Sequence, residues 1–318
     1  MTQKFFSYGP DNVGTLLSTT QSHYVTNELV DQFFNQTPLL KKLDGRKRTA
    51  DGGASIVGQL LIDQNSTATW YDGYDLIDTT PQTGMTSFQA KWKNLATTVA
   101  ISGSEERQNS GKGKLISLLQ GKNKQALLSM KRQMTAALFA SSVGSKTAES
   151  LVTMIDATST IQEINSTSNS WWQSQVVTGG SFAAQGLSDM RTLWTTIDKL
   201  TPEAPLDCIV TTDTIYNYYE GSLTPQTRYS PGGNAEGSFS GLQFKTATMF
   251  YDSQATSGVI YMFPLNHCYL VVHSDADMRM TPFVRPSNQD ARVSQLILMV
   301  QLVTDARRKL GKITSVSA

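Results

Sequence analysis

Four stretches of this chain carry residue types that do chemistry in other proteins, and each fails on spacing. Asn109-Ser-Gly111-Lys-Gly113-Lys114 invites a phosphate-binding loop, which needs a glycine, four residues, Gly-Lys and then a hydroxyl to hold magnesium. Glu106 stands where that first glycine belongs, and Leu115 follows Gly113-Lys114, so the cradle and the metal ligand are both missing. Gly237-Ser-Phe-Ser-Gly241 has the outline of a nucleophile elbow but puts Phe239 where the serine must be. His267 abuts Cys268, yet no second ligand sits at metal spacing, and a structural His beside a buried Cys is the expected reading. The acidic run of Asp72, Asp75 and Asp78 lacks the spacing and the closing Glu of a calcium loop. The expectation is a protein that is not an enzyme, with no catalytic residue, no metal site and no cofactor.

What remains is the placement of charge and of aromatic rings. The net charge is only +1, so any positive patch is balanced by a negative one elsewhere. The two signs are segregated. Residues 107–146 hold Arg107, Lys112, Lys114, Lys122, Lys124, Lys131, Arg132 and Lys146 and no acidic residue, whereas Asp63, Asp72, Asp75 and Asp78 cluster earlier. Among those aspartates stand Trp70, Tyr71 and Tyr74. With 39% hydrophobic and 17% charged residues the chain has the composition of a folded, soluble protein rather than a disordered one. Cys208 and Cys268 make no disulfide framework. No window reaches about 18 uninterrupted apolar residues, and no apolar leader opens the chain, so folding in a cytoplasm without membrane contact is expected.

The elements that must position these residues follow from periodicity. Residues 1–20 read as a polar arm, followed by a short helix with Val25, Leu29, Val30, Phe33 and Phe34 on one face and Pro38 as its stop. Residues 55–62 read as a strand. Phe88, Ala90 and Trp92 alternate strictly with Gln89, Lys91 and Lys93, a second strand. Between them, residues 63–86 are rich in Asn, Thr, Asp and Gly, so the pair predicts a long two-stranded excursion with an acidic, aromatic tip. Such a ribbon is marginal alone in water and buries little on its own molecule. Its aromatics therefore need a partner surface, another copy of the chain being the readiest; the alternative is an ordinary hairpin lying back on its own core. Leu115, Leu118, Leu119, Ala126, Leu127, Met130, Met134, Ala137 and Leu138 recur at steps of three and four. That spacing predicts one helix over about residues 112–143, roughly 45–50 Å long. A loop is read over 171–180 and a helix over 187–200. The α/β pattern that follows has strands at 207–211, 244–250, 259–263 and 269–272, a helix around 215–220 and a Gly/Ser/Pro-rich loop at 229–241. A buried strand covers 295–303, and Arg307, Arg308, Lys309 and Lys312 read as a basic tail.

This order of parts resembles the major capsid protein of tailed bacteriophages, the Hong Kong phage type. Arg48-Thr-Ala-Asp-Gly-Gly-Ala-Ser-Ile56 leading to Trp70-Tyr-Asp-Gly-Tyr-Asp75 looks like the start of that family's extended loop. Phe88-Gln-Ala-Lys-Trp-Lys-Asn-Leu95 through Ile101-Ser-Gly-Ser-Glu-Glu106 looks like the return strand and the approach to the spine helix. Asp207-Cys-Ile-Val-Thr-Thr-Asp213, and Phe244-Lys-Thr-Ala-Thr-Met-Phe-Tyr-Asp252 before Gly258-Val-Ile-Tyr-Met-Phe-Pro264, are similar to its axial domain. Arg307-Arg-Lys-Leu-Gly311 is similar to the close of its peripheral domain.

The resemblance implies an α+β capsid fold: N-terminal arm 1–45, extended loop 46–104, peripheral domain 105–200 with the spine helix, axial domain 201–275, and peripheral C-terminal strand 276–318. It implies self-association through hexamers and pentamers into an icosahedral shell around double-stranded DNA, assembled in a host bacterial cytoplasm. Trp70, Tyr71, Asp72, Tyr74, Asp75 and Asp78 would then meet a neighbouring subunit. Lys112, Lys114, Lys122, Lys124, Lys131 and Arg132 would face that neighbour or the genome. Portal, scaffolding and decoration proteins are the further partners such a shell implies. The founding member cross-links through a loop lysine, and residues 63–86 contain none, so no covalent cross-link is expected. A long helical N-terminal scaffold segment is not apparent either, which points to a separate scaffolding protein. An encapsulin-like compartment shell shares the fold and is the alternative.

Overall fold

The computed structural model describes residues 37–108, 118–200, 203, 205–223 and 242–317. The arm, the helix read around Val25 and Phe34, Lys112, Lys114 and the loop 229–241 lie outside these residues. In chain order the elements begin with α1 (Pro38–Asp44), β1 (Arg48–Ala50), β2 (Ser55–Leu61), β3 (Met85–Lys91), β4 (Lys93–Ser102), α2 (Gly103–Gln108) and α3 (Leu118–Leu138). Next come α4 (Leu151–Met154), β5 (Thr160–Ile161), β6 (Ile164–Asn165), β7 (Gln175–Thr178), α5 (Leu187–Leu200), β8 (Cys208–Thr211) and α6 (Asp213–Ser222). The last are β9 (Leu242–Phe244), β10 (Ala247–Tyr251), β11 (Ile260–Phe263), β12 (Cys268–His273), β13 (Arg279–Met280), β14 (Ala291–Thr304) and β15 (Gly311–Thr314).

These residues form two compact units. The larger comprises Gln36–Lys93, Thr135–Ser274 and Val300–Ala318; the smaller takes in Asn94–Met134 and Asp275–Met299. The core of the larger unit is a six-stranded mixed sheet in the order β7-β15-β11-β8-β10-β9. Every residue of β8 and β11 is buried, the pattern of strands covered on both faces. Met190, Leu193, Trp194 and Ile197 of α5 and Ile215 and Tyr219 of α6 share one apolar cluster with Ile209, Met249, Ile260, Met262 and Ile313. That core runs across the border expected between residues 200 and 201. It also explains Gly311: a Cβ there would lie 2.7 Å from both Leu193 and Ile197, so α5 packs against bare backbone of β15. The strand β14 belongs to both units in turn. Val300–Thr304 pairs with β12, and β12 pairs on its other side with β1. Ile297 and Leu296 pair with β13 in the smaller unit.

Several elements differ from the reading of the sequence. Pro38 opens α1, where its missing N–H costs nothing; the helix expected to stop at it lies outside the described residues. The stretch read as a loop around 171–180 contains β7, because Val176 and Val177 pair in parallel with Lys312 and Ile313, partners remote in sequence. The single strand read at 244–250 is a hairpin. Lys245 takes a left-handed φ of 54° and Ala247 pairs back on Phe244. The long helix ends at Leu138 rather than near 143, where the Ala140 N–H donates to Ala137 O in a final turn.

The expected basic tail is not a tail. Arg307 is 0% exposed, and its guanidinium organises the segment from α4 to β5. Its Nε donates to Met154 O at 2.8 Å, Nη1 to Ser159 O at 2.7 Å, and Nη2 to Asp156 O at 2.7 Å and Ser159 Oγ at 2.6 Å. Burial pushes its pKa down to about 10, against the pull of Asp156 and Glu149. Lys312 donates to Val152 O and pairs with Asp156 at 3.6 Å. Replacing Arg307 with Met would leave Asp156 O without this donor and take one of two donors from Met154 O and Ser159 O, which also accept the Ser174 and Ser166 hydroxyls. It should cost about 1–3 kcal/mol, the order expected for a buried acceptor left unpaired, seen as a lower urea midpoint at unchanged slope.

Candidate functional site

The ribbon β2–β3 is anchored at one end and bare at the other. Its antiparallel register runs from Ser55 opposite Lys91 to Leu61 opposite Met85. At the base, Phe88 and Ala90 are each 3% exposed and join Leu60, Trp172, Tyr269, Val271 and Val303 in an apolar cluster. Phe88 lies over its cross-strand partner Gly58, where a Cβ would come within 2.3 Å of the ring, so only glycine lets the two strands close. Polar contacts fix the same end. Trp92 Nε1 donates to Gly53 O at 3.1 Å, the Gln89 N–H to Gln162 O at 3.2 Å, and Gln301 Nε2 to Lys91 O at 3.1 Å. Lys91 also pairs with Glu163 at 3.1 Å. The period-two alternation of the sequence thus seats one face of the ribbon on its own unit.

Beyond the base the ribbon buries nothing. Every residue from 68 to 83 is exposed, with Trp70 at 101% and Tyr74 at 105% of full exposure; Tyr71, Leu76 and Ile77 are exposed as well. The tip is shaped by short-range hydrogen bonds instead. The Asp75 N–H donates to Asp72 O at 2.9 Å and the Asp72 N–H to Asp75 Oδ2 at 3.0 Å, a turn that passes through Gly73 at φ 42°. Asp78 Oδ1 accepts the Thr80 hydroxyl at 2.6 Å and its N–H at 3.0 Å, and these two donors hold the Asp78 carboxyl below the usual aspartate range. Trp70, Tyr71, Asp72, Tyr74, Asp75 and Asp78 are thus all exposed within the stretch 70–78.

The basic helix sorts its cations by position. Leu118, Ala126, Met130, Met134 and Leu138 form its buried face, while Lys124, Lys131 and Arg132 are exposed. Lys122 is committed inside the smaller unit: it pairs with Glu105 at 3.0 Å and donates to Ala100 O at 2.9 Å. Burial pushes the Glu105 carboxyl up, but the Ser102 N–H and the Lys122 ammonium outweigh it and hold the group below the usual glutamate value. Two further pairs, Arg107–Asp290 at 2.6 Å and Arg292–Glu106 at 3.2 Å, close the same corner. No local pattern points to these partners, some of them more than 180 residues apart in the chain.

Sequence reasoning also missed the partners of His267. Its Nδ1 lies 2.6 Å from Asp305 Oδ1, and Lys309 Nζ lies 3.1 Å from its Nε2. Arg48 stacks on Tyr269, 3.5 Å from the ring centre, and reaches Asp305 at 3.9 Å. Cys208 and Cys268 are buried, which pushes both thiols up and away from reactivity. Among the described residues, no group of His, Cys, Asp and Glu could hold a metal ion, and no helix is long and apolar enough to cross a membrane.

No family model and no curated protein matches this sequence. Solved structures do. The chain superposes on one described as the Cyanophage A-1(L) capsid asymmetric unit with a TM-score of 0.68, at 13% identity over 93% of this chain and 97% of that one. It matches the capsid of a native GTA particle with a TM-score of 0.65, at 11% identity over 93% and 95%. It matches the capsid of Myoviridae Phage XM1 with a TM-score of 0.54, at 13% identity over 92% and 96%. At such identities the likeness is one of fold: this chain has the α+β capsid fold of the Hong Kong phage type.

Two outcomes follow for the isolated chain. Trp70→Ala with Tyr74→Ala should change the unfolding free energy by less than about 0.5 kcal/mol, whereas Phe88→Ala should cost about 3–5 kcal/mol; urea titration of the three chains separates tip from base. The Glu105–Lys122 pair supplies stability that is full above the ordinary glutamate value of 4.5 and is lost as pH falls through the lower value of the folded state. The gap in urea midpoint between the parent and Glu105→Gln should accordingly shrink as pH is lowered from 7 to 3.

Proposed function

We propose that this chain is the major capsid protein of a tailed bacteriophage, assembling through hexamers and pentamers into an icosahedral shell around packaged double-stranded DNA. One observation carries the reading beyond the fold: the ribbon is built rigidly at its base and presents fully exposed aromatic rings and carboxylates at its tip. Large rings are seldom left in water without a partner, and contiguous exposed apolar surface marks an interaction site. On this reading residues 46–104 are the extended loop, and Trp70, Tyr71 and Tyr74 bury on the neighbouring copy. Asp72, Asp75 and Asp78 meet basic groups there. Such a contact joins two different surfaces, so it repeats head to tail and closes into rings.

The exposed Lys124, Lys131 and Arg132 of the spine are assigned to the shell interior or to a neighbour, where basic groups would gain from counterion release without reading sequence. Portal, a separate scaffolding protein and a decoration protein are the remaining partners of a virion shell assembled in the host cytoplasm. The encapsulin-like alternative is less favoured, since the capsid neighbours named above come from phages and a GTA particle.

Reversing Asp72 and Asp75 to Lys puts like charges across each contact, at a cost of several kcal/mol. The double variant should stay folded and monomeric by sedimentation and form no shells in negative-stain images, where the parent forms particles tens of nanometres across. Normal particles from the variant would sink the proposal.

A further inference from the structure

Where the paired strands of the ribbon give way to its loop, the larger unit holds a cavity of about 230 Å³. Leu61 and Ile62 line it from the end of β2, Trp171 and Trp172 from the 3-10 turn before β7, and Arg308 and Lys309 from the turn before β15. It is smaller than the roughly 300–1,000 Å³ of small-molecule sites, and its size suits a single large side chain. Its lining joins these apolar side chains to a charged segment in which Arg307, Arg308 and Lys309 outnumber the one carboxylate, Asp305. Arg308 is exposed, and Lys309 is steered by its contact with His267, itself held by Asp305.

The loop tip is the complement of this cavity in both respects. It offers fully exposed rings, which bury about 150–250 Å² each when seated, and two carboxylates set within one turn. The tip does not fill the cavity of its own chain, since Trp70 and Tyr74 are wholly exposed. The spine helix is a poorer seat for a ring: its exposed positions are Lys124, Gln125, Lys131, Arg132 and Gln133, which offer charge and amide, with Leu119 and Gln120 at its start and Leu119 the one large apolar side chain among them.

We infer that the cavity at the loop end of one copy's paired strands receives the loop tip of the next copy, with Trp70 between Leu61 and Trp171 and with Asp72 and Asp75 against Arg308 and Lys309. This rests on the shell-forming reading above and specifies its acceptor. Because the acceptor lies beside Leu60 and Ile62, which pack that copy's ribbon onto its own unit, a docked tip also buttresses the ribbon that must dock next, and each contact prepares its successor around the ring.

The test uses substitutions at side chains that the isolated chain leaves exposed. Arg308→Asp, Leu61→Asp and Asp75→Arg should each leave the urea unfolding curve unchanged and lower particle yield in sedimentation by about tenfold or more, the effect of about 1.4 kcal/mol or more per contact. Combining Arg308→Asp with Asp75→Arg should restore particles. If Asp75→Arg blocks assembly while Arg308→Asp and Leu61→Asp assemble like the parent, the loop reading stands and this seat is wrong. If Asp75→Arg also assembles normally, the loop reading falls together with the seat. A combined variant that stays unassembled, with each single variant folded, overturns the pairing as well.

Discussion

A two-stranded ribbon cannot hold itself in water, because two strands bury too little apolar surface to offset the cost of ordering them. Much of this molecule answers that constraint. Phe88 closes over Gly58, and Leu60 and Ala90 sink into the cluster with Tyr269, Val271 and Val303. The hairpin turn at Gln162 and Glu163, both with left-handed φ, adds a backbone acceptor and a carboxylate to the same end. Only one face of the ribbon, near its root, is satisfied this way. The remainder is stiffened by local hydrogen bonds between Asp, Asn and Thr side chains and nearby N–H groups, which order the backbone without burying the rings.

That division of labour separates stability from function. The sheet of the larger unit, with α5 and α6 on its buried strands, and the guanidinium of Arg307 bind distant segments of one chain. They do so by apolar packing and by hydrogen bonds to backbone carbonyls. The tip contributes nothing to this core and is consequently available to a second molecule. A charge pattern that sums to +1 makes sense in the same terms, because acidic and basic clusters kept apart within one chain can meet between chains.

The smaller unit shows how charge is also spent internally. Glu105, Glu106 and Arg107 are consecutive, and each finds a different partner: Lys122, Arg292 and Asp290. Gly103 permits the closest approach, its N–H donating to Asp290 O at 2.7 Å. A run that reads in sequence as an acidic lead into a basic helix is in fact a clasp around the turn at the start of β14.

Periodicity determined a good deal by itself. The alternation at Phe88, Ala90 and Trp92 defined the ribbon and its inner face, and the stripe of Met190, Leu193, Trp194 and Ile197 defined α5. The Gly- and Asp-rich stretch between the ribbon strands marked a tip without a core. These features are local: each depends on side chains two to four residues apart, and the backbone geometry alone decides which of them share a face. Tertiary structure decided the rest. It buried Arg307, turned β7 from loop into strand through its pairing with β15, withdrew Lys122 to Glu105, and placed Asp305 and Lys309 on either side of His267. A buried cation or a strand partner is set by groups brought close from 17 to more than 150 residues away. Residue type alone does not tell whether a charge will find such a partner or remain in water.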